Sequence, residues 1–172
     1  RRHKCNIWVL RKMNCEIHKT AEKAVTIARL KNVPIAFAES CTGGLIGASV
    51  TDIPGASQVF MGSAVTYSNN AKINILKVPC SVIEQNGAVS SECAIMMAQG
   101  AAQIYSALLT ISVTGIAGPD GGTDEKPVGT VWFGVCHSGE TKSFVRHFTG
   151  MRNEIRESAA AEALQCVIKE LS

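Results

Sequence analysis

The sequence predicts a single α/β domain, built as a three-layer α/β/α sandwich around a mixed sheet. Segments with helical periodicity alternate with short apolar strand patterns along most of the 172 residues. Late in the chain, two strand patterns are joined by a short polar turn, which predicts a hairpin within the same sheet. No internal repeat, low-complexity segment or linker divides the chain. We therefore expect one domain over residues 17–172 and treat residues 1–16 as an N-terminal appendage of uncertain role.

In the first half of the chain, two strand patterns are each followed by a helix pattern. A helix is predicted first, because apolar residues recur at helical spacing over 18–32. An unbroken apolar run predicts a buried strand over 34–39, and the run after it predicts a helix over 42–51. The other elements predicted in this half are a strand over 59–67, a short helix over 70–76 and a helical turn over 81–85.

The second half opens with a capped helix and closes with an amphipathic one. Ser90 is a good N-cap residue, and Glu92 places an acid in the first turn of a helix that reaches Tyr105. The β-branched run over 108–114 predicts a central strand that is followed by a glycine-rich loop. The last predicted elements are a hairpin with strands over 129–136 and 142–148 and a helix over 153–171.

Composition and charge exclude several classes of function. The aromatic fraction is 5% and the net charge +3, so neither a stacking platform nor a basic patch for nucleic acid is expected. No apolar run approaches the roughly 20 residues of a membrane span. The seven cysteines are scattered without a CxxC pair, which favours a reducing compartment over a disulfide framework or a zinc site. We expect a cytoplasmic protein with no nucleic-acid partner, no membrane partner, no metal and no cofactor.

Three loops are expected to meet at one edge of the sheet, beyond the carboxyl ends of the strands, where such folds bind ligands. The first loop carries Ser40, a candidate nucleophile that needs a base. No histidine lies in the three loops, but Tyr67 and Lys72 lie five residues apart in the second. A lysine can act as a base when burial keeps it neutral, and the tyrosine could relay the proton. The loops span 39–44, 67–72 and 114–122.

Each of these residues also has an ordinary structural explanation. Ser40 can simply cap the helix that follows it. Cys41 can be a small buried apolar residue instead of a nucleophile. Tyr67 and Lys72 can be surface residues at a strand end. The backbone of 42–44 can form an oxyanion hole or only a tight turn, and the local pattern does not decide between them.

Five motifs occur in order between residues 38 and 131. Together they resemble the C-terminal domain family of the competence/damage-inducible protein CinA, in its stand-alone form, from about residue 18 to the end of the chain. Larger members of the family carry an additional N-terminal domain that resembles molybdopterin-binding proteins. The motifs are Ala38-Glu39-Ser40-Cys41-Thr42-Gly43-Gly44, Thr66-Tyr67-Ser68-Asn69 with Ala71-Lys72, Gly87-Ala88-Val89-Ser90, Thr114-Gly115-Ile116-Ala117-Gly118-Pro119-Asp120-Gly121-Gly122 and Lys126-Pro127-Val128-Gly129-Thr130-Val131.

Active members of this family are nicotinamide-nucleotide amidases, so the resemblance implies hydrolysis of nicotinamide mononucleotide to nicotinic acid mononucleotide and ammonia. It implies a serine nucleophile at Ser40, with Tyr67 and the general base Lys72 beside it. Asn70 stands where the family commonly has glutamate, a change that could alter the surroundings of the lysine. The residues expected to contact this small pyridine nucleotide are Thr42, Gly43, Gly44, Asn69, Thr114, Gly115, Gly118 and Arg152.

Several alternatives stay open at the level of the sequence. Arg152 and Arg156 are both candidates to hold the substrate phosphate. Intact motifs do not by themselves establish activity, so a catalytically silent nucleotide-binding module of the same fold is the main alternative. A hydrolase or redox protein that depends on Cys41 is the second. We also expect the protein to assemble as a homo-oligomer.

Overall fold

The computed structural model describes residues 5–172, with side chains from residue 16 onward, and within this range five strands form one mixed sheet. The sheet order is β2-β1-β3-β4-β5, with β1 parallel to β2 and β3, and β4 antiparallel to β3 and β5. The three parallel strands therefore end at the same edge. The strands are β1 (Ile35–Glu39), β2 (Phe60–Val65), β3 (Leu109–Gly115), β4 (Thr130–His137) and β5 (Glu140–His147).

Six α-helices in the described range cover the two faces of the sheet. Helices α1, α2 and α6 pack together on one face, while α5 lies across the other face and contacts α3 and α4. This arrangement confirms the predicted three-layer sandwich with a mixed sheet. The helices are α1 (Cys5–Lys31), α2 (Leu45–Thr51), α3 (Asn69–Leu76), α4 (Cys80–Asn86), α5 (Ser91–Tyr105) and α6 (Arg152–Leu171).

Each face of the sheet has its own core, because successive side chains of a strand point to opposite faces. Phe37 of β1 belongs to the larger cluster, which also contains Leu164 of α6. The next residue, Ala38, belongs to the smaller cluster with Met97 of α5. On the second face, α5 and α3 approach each other closely. At Gly100 of α5, a Cβ atom would lie 2.1 Å from the carbonyl oxygen of Leu76, the last residue of α3.

The type and order of the predicted elements are confirmed, and the differences lie at their ends. Helix α1 already begins at Cys5, so it extends into the predicted appendage, of which residues 1–4 lie outside the described range. Helix α2 begins at Leu45 and not at residue 42, because Gly43 and Gly44 adopt left-handed backbone conformations, with φ of 62° and 95°. The predicted cap of α5 is confirmed, since the Ser90 hydroxyl accepts the N–H of Cys93 at 3.2 Å.

None of the helices in the described range has the length and apolar character needed to cross a membrane. The cysteines whose side chains are described are free thiols, whereas Cys5 and Cys15 fall outside the described side chains. The free thiols are Cys41, Cys80, Cys93, Cys136 and Cys166.

Candidate active site

A cleft of about 280 Å³ opens at the edge where the three parallel strands end. The loops after β1, β2 and β3 all contribute to its wall, as the sequence predicts, and the segment before α5 and the first residue of α6 complete it. The lining residues are Ser40, Cys41, Tyr67, Asn69, Lys72, Ala88, Val89, Thr114, Gly115, Ile116, Ala117, Gly118, Asp120, Gly121 and Arg152.

The centre of this cleft is a direct contact between a lysine and a serine. The Nζ atom of Lys72 lies 3.0 Å from Oγ of Ser40, and it also donates to the carbonyl oxygens of Thr66 and Tyr67 at 2.9 and 3.3 Å. Ser68 caps α3 and so fixes the first turn of the helix that carries the lysine. Lys72 is only 1% exposed and Ser40 8%. The pair is therefore held together below the surface of the cleft.

Burial determines the ionisation of this lysine. Loss of solvation lowers the pKa of Lys72 below its ordinary value, and the neighbouring thiols of Cys93 and Cys41 oppose the shift only in part. The ion pairs found among the described residues do not include Lys72. The neutral amine is therefore easier to reach than in an exposed lysine, and a neutral amine can accept the proton of a serine hydroxyl.

Tyr67 does not stand between the lysine and the serine. Its side chain is 59% exposed, and its hydroxyl accepts a hydrogen bond from Nη2 of Arg152 at 2.9 Å. The relay expected from the sequence, from Ser40 through Tyr67 to Lys72, is not the arrangement found, because Lys72 contacts Ser40 directly. Tyr67 instead contributes its backbone carbonyl to the lysine and its phenol to the rim of the cleft.

The two candidate arginines have different surroundings. Arg152 lines the cleft, is exposed, and donates from Nη1 to the carbonyl oxygen of Gly118 at 2.7 Å. Arg156, one turn further along α6, donates from Nε to the carbonyl of Cys41 at 3.0 Å and from Nη2 to that of Thr42 at 2.8 Å. Arg152 is thus the better placed cation for an anionic ligand, while Arg156 holds the loop that carries the serine.

The segment 42–44 of the loop after Ser40 does not form the part of the cleft wall that the sequence predicts. Thr42, Gly43 and Gly44 do not line the cleft. The N–H of Gly43 donates to the carbonyl of Ser40 at 3.0 Å, and that of Gly44 donates to the carboxylate of Glu39 at 2.9 Å. The alternative in which Ser40 caps α2 is wrong, because Gly44 is the N-cap residue and the hydroxyl of Ser40 is paired with Lys72.

The remaining predicted contact residues lie together at the cleft. Asn69 begins α3, and Thr114 and Gly115 end β3, with the hydroxyl of Thr114 donating to the carbonyl of Ala88 at 2.7 Å. Gly115 has no room for a side chain, since a Cβ atom would lie 2.8 Å from the carbonyl of Thr130. The structure thus brings these positions to one wall. Asn70, where the family commonly has glutamate, is exposed and lies outside the lining.

Sequence reasoning missed two features of the site. Asp120 lines the cleft and is the one acidic residue among the described lining residues; it lies in the glycine-rich loop that was predicted to reach the site, but it is not among the predicted contact residues. Glu39 is fully buried beside Ser40; a glutamate at the end of an apolar strand was the signal that could have identified it. None of the histidines whose side chains are described lines the cleft.

Cys41 lines the cleft but is a poor nucleophile there. Its side chain is 5% exposed, and burial raises the pKa of its thiol to about 11. The reactive thiolate is therefore scarce at neutral pH.

A second groove, of about 290 Å³, lies between α1 and α6. Its described lining includes Glu16, Glu157 and Glu162 but no lysine, histidine or cysteine. It therefore offers no nucleophile and base pair comparable to Ser40 and Lys72.

The chain is similar to proteins of one family along nearly its whole described length. The model of the family described as the CinA C-terminal domain matches residues 17–171. A CinA-like protein from Fervidobacterium nodosum is 52% identical over 126 residues, which are 73% of this chain and 31% of that relative. A CinA-like protein from Dictyoglomus thermophilum is 48% identical over 143 residues, 83% of this chain and 35% of that relative. The chain spans about a third of the length of these curated relatives.

Solved structures match the fold over most of both chains. The competence/damage-inducible protein CihA from Agrobacterium tumefaciens has a TM-score of 0.85 and 38% identity, with 90% of this chain and 94% of that chain covered. A CinA superfamily protein from Klebsiella pneumoniae has a TM-score of 0.87 and 29% identity, with 90% and 97% covered.

Proposed function

The chain belongs to the CinA C-terminal domain family, and we propose that it is an amidohydrolase acting on nicotinamide mononucleotide. The products are nicotinic acid mononucleotide and ammonia. Ser40 is the nucleophile and Lys72 the general base. The contact of 3.0 Å between Lys72 Nζ and Ser40 Oγ supports this proposal most strongly, because a buried lysine that pairs with no carboxylate among the described residues has few structural reasons to be there.

In the first half of the reaction, Ser40 attacks the carbon of the carboxamide. Neutral Lys72 takes the hydroxyl proton as the bond from Oγ to carbon forms, and the amide oxygen becomes an oxyanion. When the tetrahedral intermediate collapses, the bond from carbon to nitrogen breaks and the lysine returns its proton to the leaving nitrogen. Ammonia departs and an ester of Ser40 remains.

The second half repeats these steps with water as the nucleophile. Lys72 takes a proton from a water molecule that attacks the ester carbon. The bond from Ser40 Oγ to carbon then breaks, Oγ regains a proton from the lysine, and the carboxylic acid product releases its proton to solvent and leaves as its anion. One base therefore serves both steps, and no metal or redox step is needed to balance the reaction.

The size and charge of the cleft support a mononucleotide substrate. A volume of about 280 Å³ is close to the lower limit, roughly 300 Å³, of small-molecule sites. Arg152 at the rim is the cation that we assign to the phosphate, since a guanidinium has N–H groups to spare beyond its contacts with Tyr67 and Gly118.

The proposal is tested by incubating the purified protein with nicotinamide mononucleotide and measuring nicotinic acid mononucleotide by mass spectrometry. We expect product from the wild type and none from the Lys72→Met variant. A mononucleotide that binds in calorimetry but is not converted, even at high enzyme concentration, would refute the amidase and favour the silent nucleotide-binding module.

Location and assembly belong to the same proposal. The free thiols of the described cysteines are in keeping with a reducing cytoplasm, where pyridine nucleotides are substrates. We propose that the protein works there as a homo-oligomer. Light scattering coupled to gel filtration tests the second point, since a mass near the chain mass of 18.3 kDa would contradict it.

A further inference from the structure

Glu39, the residue immediately before the serine, has an unusual set of partners. It is fully buried at the end of β1, and Oε2 accepts the N–H groups of Gly44 and Ile46 at 2.9 and 3.2 Å. Oε1 accepts the N–H of Gly47 at 2.9 Å and the hydroxyl of Ser63, on β2, at 2.7 Å. The carboxylate therefore takes three backbone donors at the start of α2.

Because of these contacts, the N–H groups at the beginning of α2 are not available to a ligand in the cleft. The free N–H groups and the positive end of a helix dipole would otherwise attract an anion. Here a carboxylate of the protein itself occupies that position. Neither the substrate phosphate nor the oxyanion can then use the donors of Gly44, Ile46 or Gly47.

Arg156 fixes the other side of the same loop. Its guanidinium binds the carbonyl oxygens of Cys41 and Thr42, while Glu39 binds the N–H groups that follow. Within the described structure, the N–H groups of Cys41 and Thr42 donate to no oxygen atom. Cys41 lines the cleft and directly follows Ser40 in the chain, so its N–H is a donor adjacent to the nucleophile.

We propose that Glu39, acting with Arg156, is a positioning residue that holds the Ser40 loop so that the N–H of Cys41 serves the oxyanion. This inference rests on the proposed function. Glu39 acts through the loop and touches no reacting atom. A donor that is fixed before the reaction stabilises the developing charge without reorganisation.

The Glu39→Gln variant tests the role with little change in shape. A glutamine has one acceptor oxygen, so its NH2 group must face either the donors of Gly44 and Ile46 or that of Gly47, and the loop shifts. Because a small displacement in an active site reduces the rate strongly, we expect kcat to fall on the order of 100-fold. KM and the acidic limb of the pH profile are expected to stay unchanged, since the cleft wall and the burial of Lys72 are intact. The matched control is Glu162→Gln, whose carboxylate pairs with Arg146 away from the cleft.

A second measurement separates this inference from the identity of the substrate. A fluorophosphonate reacts with an activated serine: the bond from Ser40 Oγ to phosphorus forms, fluoride leaves and Lys72 takes the proton. Its phosphoryl oxygen requires the same donor as the oxyanion. Mass spectrometry measures the rate at which Ser40 is labelled. We expect Glu39→Gln to lower this rate by about the same factor as it lowers kcat. Wild-type labelling without mononucleotide hydrolysis would overturn the proposed substrate but leave the role of Glu39 to be judged on labelling.

The inference can still be tested if the Glu39→Gln variant is unstable. Circular dichroism gives the fraction of folded Glu39→Gln protein, and Arg156→Lys loosens the loop while leaving the Glu39 contacts in place. We expect Arg156→Lys to lower kcat and labelling with KM unchanged. Wild-type rates in folded Glu39→Gln, or in Arg156→Lys if the first variant does not fold, would overturn the inference. So would a higher KM at constant kcat, a displaced acidic limb, or a wild-type Ser40 that is not labelled.

Discussion

The guanidinium of Arg152 donates a hydrogen bond to the hydroxyl of Tyr67 over 2.9 Å, and so joins the start of the last helix to the loop that precedes the buried lysine. The same guanidinium reaches the carbonyl oxygen of Gly118 in the glycine-rich loop. Arg152 thus ties two of the three loops around the cleft to α6. This arrangement also occupies the phenol of Tyr67 at the rim, away from the contact between Ser40 and Lys72.

The Tyr67→Phe variant is expected to lose much less activity than a variant that lacks the base. Lys72 reaches Ser40 without an intermediary, so loss of the phenol removes only a partner of Arg152. We expect kcat to fall less than about tenfold, because loss of a true proton-transfer group costs roughly 10²–10⁴-fold. Steady-state turnover of nicotinamide mononucleotide measures this, with Lys72→Met as the variant that loses the base. An equal loss of kcat in the two variants would instead support proton transfer through Tyr67.

Neighbouring serine and cysteine residues are expected to respond differently to alanine. Ser40→Ala should reduce turnover by roughly three orders of magnitude or more, as expected for a covalent nucleophile. Cys41→Ala should retain activity within a few-fold, because burial raises the pKa of the thiol to about 11. Mass-spectrometric product formation by each variant measures the difference. If the Cys41→Ala enzyme is correctly folded but inactive, the nucleophile is the thiol of Cys41 and not the hydroxyl of Ser40.

The sequence predicted the meeting of the three loops because parallel strands place their carboxyl ends at one edge. The spacing of Tyr67 and Lys72 placed both residues near that edge, and the structure confirms that they line the same cleft. The cap at Ser90 was also predictable, since it depends only on the next three residues.

What could not be predicted depends on contacts between distant segments. Glu39 binds Ser63, which lies 24 residues later, and Arg156 binds a loop more than 100 residues earlier in the chain. Gly43 and Gly44 adopt left-handed conformations, so α2 begins only at Leu45. This conformation allows the contacts with Glu39 and Arg156 as well as the local turn. Local patterns carry no information on which distant carboxylate or guanidinium will bind a given loop.

The rate of the reaction is expected to fall as the pH is lowered. Lys72 must be neutral to accept a proton, and burial lowers its pKa below the ordinary lysine value of about 10.4. As the pH falls through that lowered pKa, the amine becomes charged and kcat is lost. The pH profile of kcat for the wild type measures this loss of rate on the acidic side. A rate that stays constant from acidic to alkaline pH would exclude a lysine base.

The same pKa shift predicts that stability increases with pH. Between the lowered pKa of the folded state and the ordinary value of the unfolded chain, the unfolded state binds more protons, so the free energy of unfolding rises with pH. The Lys72→Met variant lacks this contribution. We expect the wild type to gain thermal stability relative to that variant as the pH rises through this window, as measured by circular dichroism. A constant difference between the two would show that the lysine is not shifted.

Gly100 is expected to couple the stability of the fold to the position of the base. A Cβ atom there would lie 2.1 Å from the carbonyl of Leu76, at the end of the helix that carries Lys72. An unhindered glycine in a helix gains roughly 0.5–1 kcal/mol on replacement by alanine, but the close backbone contact reverses the sign here. We expect Gly100→Ala to lower the free energy of unfolding by about 1–3 kcal/mol and to reduce kcat in the folded fraction, because α3 must move to relieve the contact. Urea unfolding and turnover measure the two effects, with Gln103→Ala on the exposed side of α5 as the control. A stabilised and fully active Gly100→Ala protein would show that α3 can move away from α5 without displacing Lys72 from Ser40.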